Sequence, residues 1–134
     1  MFTGTGHGVP KYAMQNADFA AIGIDTDDAW IRERTGIRQR YIARDGETCV
    51  SLAADASRQA MARAGVAPEE IDLIVFGTCS PDKLLPASGV ELQALIGAVN
   101  ASAFDLNAAC TSFVYGVSVA EGFIAAGSAK TVLV

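Results

Sequence analysis

The least polar part of the chain runs from residue 106 to residue 129, where Glu121 is the only charged side chain. A segment that is apolar on nearly every side predicts a helix buried inside the protein rather than one lying on its surface. A shorter apolar run at residues 103–106 comes directly before it and predicts a strand. The pattern therefore places Cys110 where a strand passes into the N-terminus of a central, buried helix.

The rest of the pattern predicts strands and helices that alternate along the chain. A continuous apolar run predicts a buried strand at residues 71–76, and further strands are expected at residues 2–6 and 130–134. Capping residues and glycines predict four more helices, the last of them opened by a capping box of Ser88 and Glu91. These helices are expected from Asn16 to Ile22, from Asp25 or Thr26 to Gly36, from Thr48 to Gly65, and from Ser88 to Gly97. This order predicts an α/β protein whose mostly parallel sheet is covered on both faces.

Length and composition narrow the possible classes of protein. With 134 residues, of which 51% are hydrophobic, the chain can bury one sizeable core. Its net charge of −5 gives no electrostatic reason to expect nucleic-acid binding. Glu121 and Lys130 interrupt the best candidate for the span of about 18 apolar residues that a membrane helix needs. We therefore expect a soluble, cytoplasmic protein without membrane association. Because both ends fall within predicted strands, we also expect a fragment of a longer fold.

The three cysteines are Cys49, Cys79 and Cys110, and their spacing matches neither a CxxC pair nor a metal site. We expect Cys79 to pack in the interior, as free cysteines usually do. Cys110 has two interpretations. A helix N-terminus favours the thiolate over the thiol, which would make Cys110 a nucleophile, and the small residues before it leave room for a substrate. The alternative is a buried, inert cysteine, and position alone does not exclude it.

Five of the seven arginines lie within thirteen residues of an otherwise acidic chain, beside the only tryptophan, Trp30. An anionic partner is one interpretation, and a guanidinium close to an aromatic ring can also hold a flat heterocycle. A solvated charged surface is the other interpretation. The arginines are Arg32, Arg34, Arg38, Arg40 and Arg44.

The glycine-rich start of the chain does not have the spacing of a dinucleotide-binding loop. Gly4, Gly6 and Gly8 do not form a G-x-G-x-x-G motif, and Pro10 follows instead of a helix. His7, the only histidine, is far in sequence from any predicted nucleophile, so we expect it to have no catalytic role.

Two segments resemble the β-ketoacyl-acyl-carrier-protein synthase III family of condensing enzymes, which belong to the thiolase superfamily. The first has an aspartate, two alanines before a cysteine, and an aromatic residue three positions after it: Asp105, Ala108, Ala109, Cys110 and Phe113. The second is the run from Trp30 to Arg38, Trp-Ile-Arg-Glu-Arg-Thr-Gly-Ile-Arg. The resemblance covers essentially the whole chain. It implies the N-terminal half of a five-layer αβαβα fold.

The resemblance also implies roles for individual residues. Cys110 corresponds to the nucleophile, while Trp30, Arg34 and Thr26 correspond to residues that hold the adenine of coenzyme A. Leu85 lies in a loop that in the family crosses the dimer interface and lines the partner's acyl pocket, often with an aromatic residue at this position. A further departure is Thr111-Ser112, where the family often has Ala-Gly.

The activity implied is an acyl transfer from acyl-CoA to Cys110, followed by decarboxylative condensation with malonyl-acyl-carrier-protein to start fatty acid synthesis. No resident cofactor is expected, and the implied partners are acyl-CoA, acyl carrier protein and a second copy of the full-length enzyme. The family's condensing histidine and asparagine come from the second half of the fold. Alternatives remain: a related acyl-CoA transferase, a polyketide-priming enzyme, or a non-catalytic subunit with the same fold.

Overall fold

A computed structural model describes residues 1–134, which divide into two compact units. The smaller unit is Val9–Glu47, and the larger one combines Met1–Gly8 with Thr48–Val134. None of the helices is long and apolar enough to span a membrane.

The smaller unit consists of a two-stranded antiparallel sheet and two short helices. Strand β1 (Tyr12–Gln15) pairs with strand β2 (Gln39–Ile42), and helices α1 (Asn16–Ala21) and α2 (Asp28–Thr35) lie between them in sequence. The buried Asn16 amide donates to Asp28 Oδ1 at 2.9 Å and to the Ile37 carbonyl at 2.7 Å. This side chain therefore joins the starts of both helices to the chain that follows α2.

The larger unit is built around one buried strand. Its remaining elements are α3 (Cys49–Ala64), β3 (Leu73–Gly77), α4 (Ser88–Ile96), β4 (Ser102–Leu106), α5 (Ser112–Ala125) and β5 (Val132–Leu133). Strand β3 lies in the middle, parallel to β4 on one side and to β5 on the other.

Alternate side chains of β3 point to opposite faces of this sheet, so each face has its own core. Ile74 and Phe76 pack with residues of α3 and α4, whereas Leu73 and Val75 pack with Ala129 and with Val119 of α5. Burying side chains of this size stabilises the fold by about 1.5–3 kcal/mol each. The predicted parallel sheet with helices on both faces is confirmed within this unit.

Four predicted helix boundaries hold, and each of them has a local cap. The Thr48 hydroxyl accepts a hydrogen bond from the Ser51 N–H at 3.1 Å and opens α3, which ends at Gly65 with φ of 66°. Gly36 and Gly97 end α2 and α4 in the same left-handed conformation. Glycine adopts this conformation without the steric cost that other residues pay.

Three predicted helix caps are wrong, although α1 and α4 begin at the predicted residues. Helix α2 begins at Asp28 because Asp27, not Asp25 or Thr26, accepts the hydrogen bond from the Trp30 N–H, at 2.7 Å. Gln15 stands at the cap position of α1, since the side chain of Asn16 is buried and used elsewhere. Ser88 and Glu91 form no capping box: Glu91 instead pairs with Lys83 at 2.6 Å.

The strand predicted at residues 2–6 is also wrong, because this segment has no regular secondary structure. Carbonyl groups at residues 5 and 7 bind side chains of α3 rather than a neighbouring strand. The Thr5 carbonyl accepts from Arg63 at 2.6 Å, and the His7 carbonyl accepts from Gln59 at 2.7 Å. A Cβ atom on Gly4 or Gly6 would collide with carbonyl oxygens of α3, so these glycines allow the segment to lie directly against the helix.

Candidate active site

Cys110 lies between the end of β4 and the start of α5, as predicted. It is the middle residue of a 3-10 turn, Ala109–Thr111, that runs directly into α5 at Ser112. Its side chain is exposed, so the alternative of a buried cysteine is wrong for this chain. The start of α5 carries the partial positive charge of a helix N-terminus, which stabilises a negatively charged group placed there. A thiol in this position is accessible to a substrate.

The backbone immediately before Cys110 is strained. Ala109 has φ of 48° and is the only residue other than glycine with a positive φ. A side-chain-bearing residue keeps this left-handed conformation only where its surroundings impose it, and such residues concentrate at functional sites. The sequence contains no sign of this conformation, because alanine is not a residue that favours it.

Two hydroxyl groups bind the backbone of Ala108, the residue before Ala109. The Thr111 hydroxyl donates to the Ala108 carbonyl oxygen at 2.6 Å. The Ser112 hydroxyl oxygen accepts a hydrogen bond from the Ala108 N–H at 3.0 Å. The side chains that follow Cys110 thus fold back onto the residue two positions before it. In the sequence, Thr111 and Ser112 stand out only as a departure from the family pattern, and nothing local indicates these two bonds.

Asp105, in strand β4, connects this strand to helix α4. Its carboxylate accepts hydrogen bonds from the backbone N–H groups of Ser88 at 2.9 Å and Gly89 at 2.7 Å. A carboxylate at a helix N-terminus satisfies free N–H groups and is favoured by the helix dipole. Asp105 therefore caps α4 in place of the predicted Ser88.

Leu85 lies on the loop that leads into α4. Both Leu84 and its neighbour Leu85 are almost fully exposed, with 86% and 84% of their surface accessible. Lys83 ties this loop to α4 through its ion pair with Glu91. The larger unit therefore contains Cys110 and Leu85, and it presents both side chains to solvent.

Helix α5, which is apolar on nearly every side, is buried along one face in this chain. Its buried positions are the small residues Ser112, Gly116 and Ala120, spaced at four-residue intervals along one face. Gly116 packs closely, since a Cβ atom there would lie 2.6 Å from a methyl group of Val134. The large side chains point away from this contact and are exposed: Phe113, Val114, Tyr115, Phe123 and Ile124.

The other two cysteines differ from Cys110 in their surroundings. Cys79 is exposed, which contradicts the expectation that it packs in the interior; it follows the end of β3, where the chain leaves the core. Cys49, at the start of α3, is partly buried. Burial raises the pKa of the Cys49 thiol, and a hydrogen bond with Thr78 acts in the opposite direction.

The remaining predicted site residues, Thr26, Trp30 and Arg34, lie in the smaller unit. Trp30 is half exposed, and the Arg34 guanidinium carbon lies 4.6 Å from the centre of its ring. The two residues are four positions apart on α2, which brings their side chains together on one helix face. The structure thus confirms that Trp30 and Arg34 are neighbours. The Thr26 hydroxyl oxygen is buried and has no hydrogen-bond partner.

Two other arginines of the predicted cluster also stack on aromatic rings. The Arg44 guanidinium carbon lies 3.4 Å from the centre of the Tyr12 ring, and that of Arg40 lies 5.3 Å from the Phe19 ring. Arg32 pairs instead with the carboxylate of Asp28 at 3.4 Å, and Arg34, which stacks on Trp30, also pairs with Glu33 at 3.8 Å. The cluster is therefore partly neutralised within its own unit.

Solved structures with the same architecture belong to condensing enzymes. The crystal structure of 3-oxoacyl-[acyl-carrier-protein] synthase III from Aquifex aeolicus matches with a TM-score of 0.92 and 42% identity, over 97% of this chain and 42% of that one. The priming β-ketosynthase from the R1128 polyketide pathway matches with a TM-score of 0.87 and 38% identity, over 92% of this chain and 36% of that one. The fold is thus that of the thiolase-like condensing enzymes.

Sequence comparison narrows this class to a family. A profile of 3-oxoacyl-[acyl-carrier-protein (ACP)] synthase III matches residues 104–134, the segment that contains Cys110. The β-ketoacyl-[acyl-carrier-protein] synthase III of Xanthomonas campestris is 52% identical over 131 residues, which are 98% of this chain and 40% of that protein. The chain belongs to the β-ketoacyl-acyl-carrier-protein synthase III family. It spans about two fifths of the length of the curated relatives that it matches.

Proposed function

We propose that the protein is an acyltransferase of the β-ketoacyl-acyl-carrier-protein synthase III type, with Cys110 as its nucleophile. The observation that carries this proposal is the position of Cys110: exposed, in a strained turn at the start of α5, and within the segment that the family profile matches. The relatives are named as β-ketoacyl- or 3-oxoacyl-[acyl-carrier-protein] synthases III, which supports acyl transfer as the type of reaction.

In the first step, the Cys110 thiolate attacks the carbonyl carbon of acyl-CoA. A bond forms between the Cys110 sulfur and this carbon, and the bond to the CoA sulfur breaks. CoA leaves as a thiolate and takes up the proton that the Cys110 thiol lost, so the acyl group remains on the enzyme as a thioester. The N–H of Cys110, at the start of the helix, would stabilise the negative charge that develops on the carbonyl oxygen.

In the second step, a malonyl thioester on acyl carrier protein loses carbon dioxide. The resulting enolate carbon attacks the acyl-enzyme thioester and releases the Cys110 thiolate together with the β-ketoacyl product. This step needs groups that hold the malonyl thioester and stabilise the enolate. By resemblance to the family these are a histidine and an asparagine in the second half of the fold, outside this sequence.

Three features of the chain would serve substrate binding and assembly. Trp30, Arg34 and Thr26 would hold the nucleotide part of CoA, since the exposed Trp30 ring and the Arg34 guanidinium lie together on α2. Leu85 would line an acyl pocket in the second copy of a homodimer, which fits its nearly complete exposure here. No resident cofactor is needed for either step as written.

The test is to incubate the full-length gene product with acetyl-CoA and to locate any acyl group by mass spectrometry. We expect acylation of Cys110 in the wild type and none in Cys110→Ser. Cys79→Ser is the matched control, because Cys79 is also exposed, and it should leave acylation intact. Adding malonyl-acyl-carrier-protein should then discharge the acyl group and release carbon dioxide. Acylation of Cys79 instead, or of no cysteine, would overturn the proposal.

A second candidate is the priming of polyketide synthesis, which the similarity to the R1128 priming β-ketosynthase favours. The first step on Cys110 would be the same. The two functions differ in the carrier protein that supplies the malonyl group, so discharge of the acyl-enzyme by fatty-acid and polyketide carrier proteins distinguishes them. The same experiment excludes a non-catalytic subunit if either carrier discharges the acyl group.

A further inference from the structure

The hydroxyl groups of Thr111 and Ser112 meet on a single residue, Ala108. Thr111 donates to the Ala108 carbonyl at 2.6 Å, and Ser112 accepts from the Ala108 N–H at 3.0 Å. Both polar groups of Ala108 are therefore bound by side chains that follow Cys110. Residues 108–112 form a closed loop, with Cys110 at its middle.

This loop accounts for the strained conformation of Ala109. With φ of 48°, Ala109 is the first residue of the 3-10 turn that follows β4. Both hydroxyl bonds, together with a backbone bond from the Thr111 N–H to the Ala108 carbonyl at 3.1 Å, tie Ala108 to the turn, so the chain between them has little freedom to relax to a negative φ. Side-chain hydrogen bonds of this local kind offer the backbone an alternative to regular helix.

Ser112 in turn is anchored to the sheet. It is buried, and a Cβ atom on Gly77, the last residue of β3, would lie only 2.9 Å from the Cβ of Ser112. Real Cβ atoms essentially never approach so closely. Gly77 therefore leaves the space in which the first residue of α5 sits, and the loop around Cys110 is attached to the central strand through this contact.

We infer that Thr111 and Ser112 are positioning residues for Cys110: their hydrogen bonds to Ala108 hold the left-handed turn that aims the thiol at the substrate carbonyl. This inference rests on the proposed function, in which Cys110 is the nucleophile. Neither hydroxyl takes part in the chemistry. Their effect is on the orientation of the sulfur, and a small misplacement of a reacting group is enough to slow a reaction.

The test uses the full-length gene product with four substitutions. Thr111→Val removes the hydroxyl and keeps the shape of the side chain, whereas Thr111→Ser keeps the hydroxyl. Ser112→Ala removes the acceptor for the partly buried Ala108 N–H. Ser118→Ala is the matched control, because Ser118 also lies on α5 and its hydroxyl donates to the Val114 carbonyl, away from Cys110.

Two rates are measured for each variant: acylation of Cys110 by acetyl-CoA in a single turnover, and alkylation of Cys110 by iodoacetamide. We expect Thr111→Val to slow acylation by about fivefold and Ser112→Ala by about tenfold, which are the effects of losing one hydrogen bond and of leaving one partly buried donor unpaired. Thr111→Ser and Ser118→Ala should stay within about twofold of the wild type. The rate of alkylation should change far less, because iodoacetamide is small and reacts without first being bound in one orientation. KM for acetyl-CoA should be unchanged.

Each outcome decides the inference. Acylation at the wild-type rate in Thr111→Val overturns it, as does an equal loss in Thr111→Ser. An equal fall of acylation and alkylation would mean a general loss of thiol reactivity, which also overturns it. Should Ser112→Ala fail to fold, the two Thr111 variants still decide. The proposed function fails separately, if the wild type itself is not acylated on Cys110.

Discussion

The Asp105 carboxylate accepts a 2.7 Å hydrogen bond from the backbone N–H of Gly89, so the strand that leads to Cys110 holds the first turn of helix α4. The two residues are sixteen positions apart in sequence. Because α4 follows the loop that carries Leu85, this bond and its companion from Ser88 link the nucleophile's strand to that loop.

Asp105→Asn should destabilise the protein by about 2 kcal/mol, since the amide keeps one acceptor oxygen where the carboxylate supplies two. Chemical denaturation of the full-length protein measures this change. Asp55→Asn is the control: Asp55 is exposed and pairs with Arg58 at 3.4 Å on the surface, and loss of such a pair costs about 0.5 kcal/mol. Equal losses in the two variants would show that the bonds to Asp105 add no more stability than a surface ion pair does.

The three cysteines should react with iodoacetamide in a defined order at neutral pH. Cys110 is exposed at a helix start and should be labelled first, ahead of the exposed Cys79. Cys49 should be slowest, because it is partly buried and burial raises its pKa. Peptide mass spectrometry after limited labelling gives the order. Faster labelling of Cys79 or Cys49 than of Cys110 would contradict the assignment of the nucleophile.

Arg34→Ala should weaken CoA binding by the full-length protein, because Arg34 stacks on Trp30 and both are predicted to hold the nucleotide. Arg34→Lys should restore little, since stacking needs the planar guanidinium. The change in Trp30 fluorescence on titration with CoA measures the affinity. Arg32→Ala is the control, because Arg32 lies on the same helix and pairs with Asp28. Unchanged affinity in Arg34→Ala would argue against this site.

Asp72 should make stability depend on pH at the acidic end of the range. Its carboxylate accepts hydrogen bonds from the N–H groups of Lys130 at 2.7 Å and Thr131 at 3.0 Å. These two bonds, first that from Thr131 and then that from Lys130, are the main reason why the pKa of Asp72 lies below its ordinary value of 3.8. A lowered pKa in the folded state means that the carboxylate stabilises the protein above pH 3.8 and that this contribution disappears as the pH falls through the folded-state value.

Denaturation of the wild type and Asp72→Asn across this range measures the effect. The wild type should be the more stable of the two at neutral pH, and the difference should shrink as the pH falls below 3.8. A difference that stays constant with pH would mean that the charge on Asp72 does not contribute.

Residues 1–134 expressed alone should self-associate or be insoluble, and they should release no carbon dioxide from a malonyl thioester. The reason is the exposed apolar face of α5, formed by the large side chains described above. At about 25 cal/mol per Å², leaving about 400 Å² of such surface exposed forgoes on the order of 10 kcal/mol. Size-exclusion chromatography and thermal melting test this. A monomer with a cooperative melt would contradict it.

Local signals in the sequence predicted the elements whose ends depend on nearby residues. Helix α3 is the clearest example, because the Thr48 cap and the left-handed Gly65 both act within one turn of the helix. Strand β3 was predictable for a different reason: a strand buried on both faces must be apolar throughout.

Two of the failures depend on distant partners. Residues 2–6 look like a strand, but side chains of α3 bind the backbone here: Arg63 donates to the Thr5 carbonyl, and Gln59 donates to the carbonyl of His7, just after this segment. The N-terminus of α4 is capped by Asp105 from another strand, which no short motif reveals. Cys110 was found from its place between strand and helix, whereas the left-handed Ala109 before it follows from hydrogen bonds that only the folded chain brings together.

The close approach of Gly77 and Ser112 has a consequence for how this sequence can change over time. A side chain at position 77 is excluded while Ser112 occupies the space beside it, and a bulkier residue at position 112 would press against the end of β3. Substitutions at these two positions are therefore not independent: each sets which replacements the other tolerates. Position 112, after the nucleophile, is thus expected to covary among related sequences with position 77 at the end of the central strand, thirty-five positions earlier in the chain.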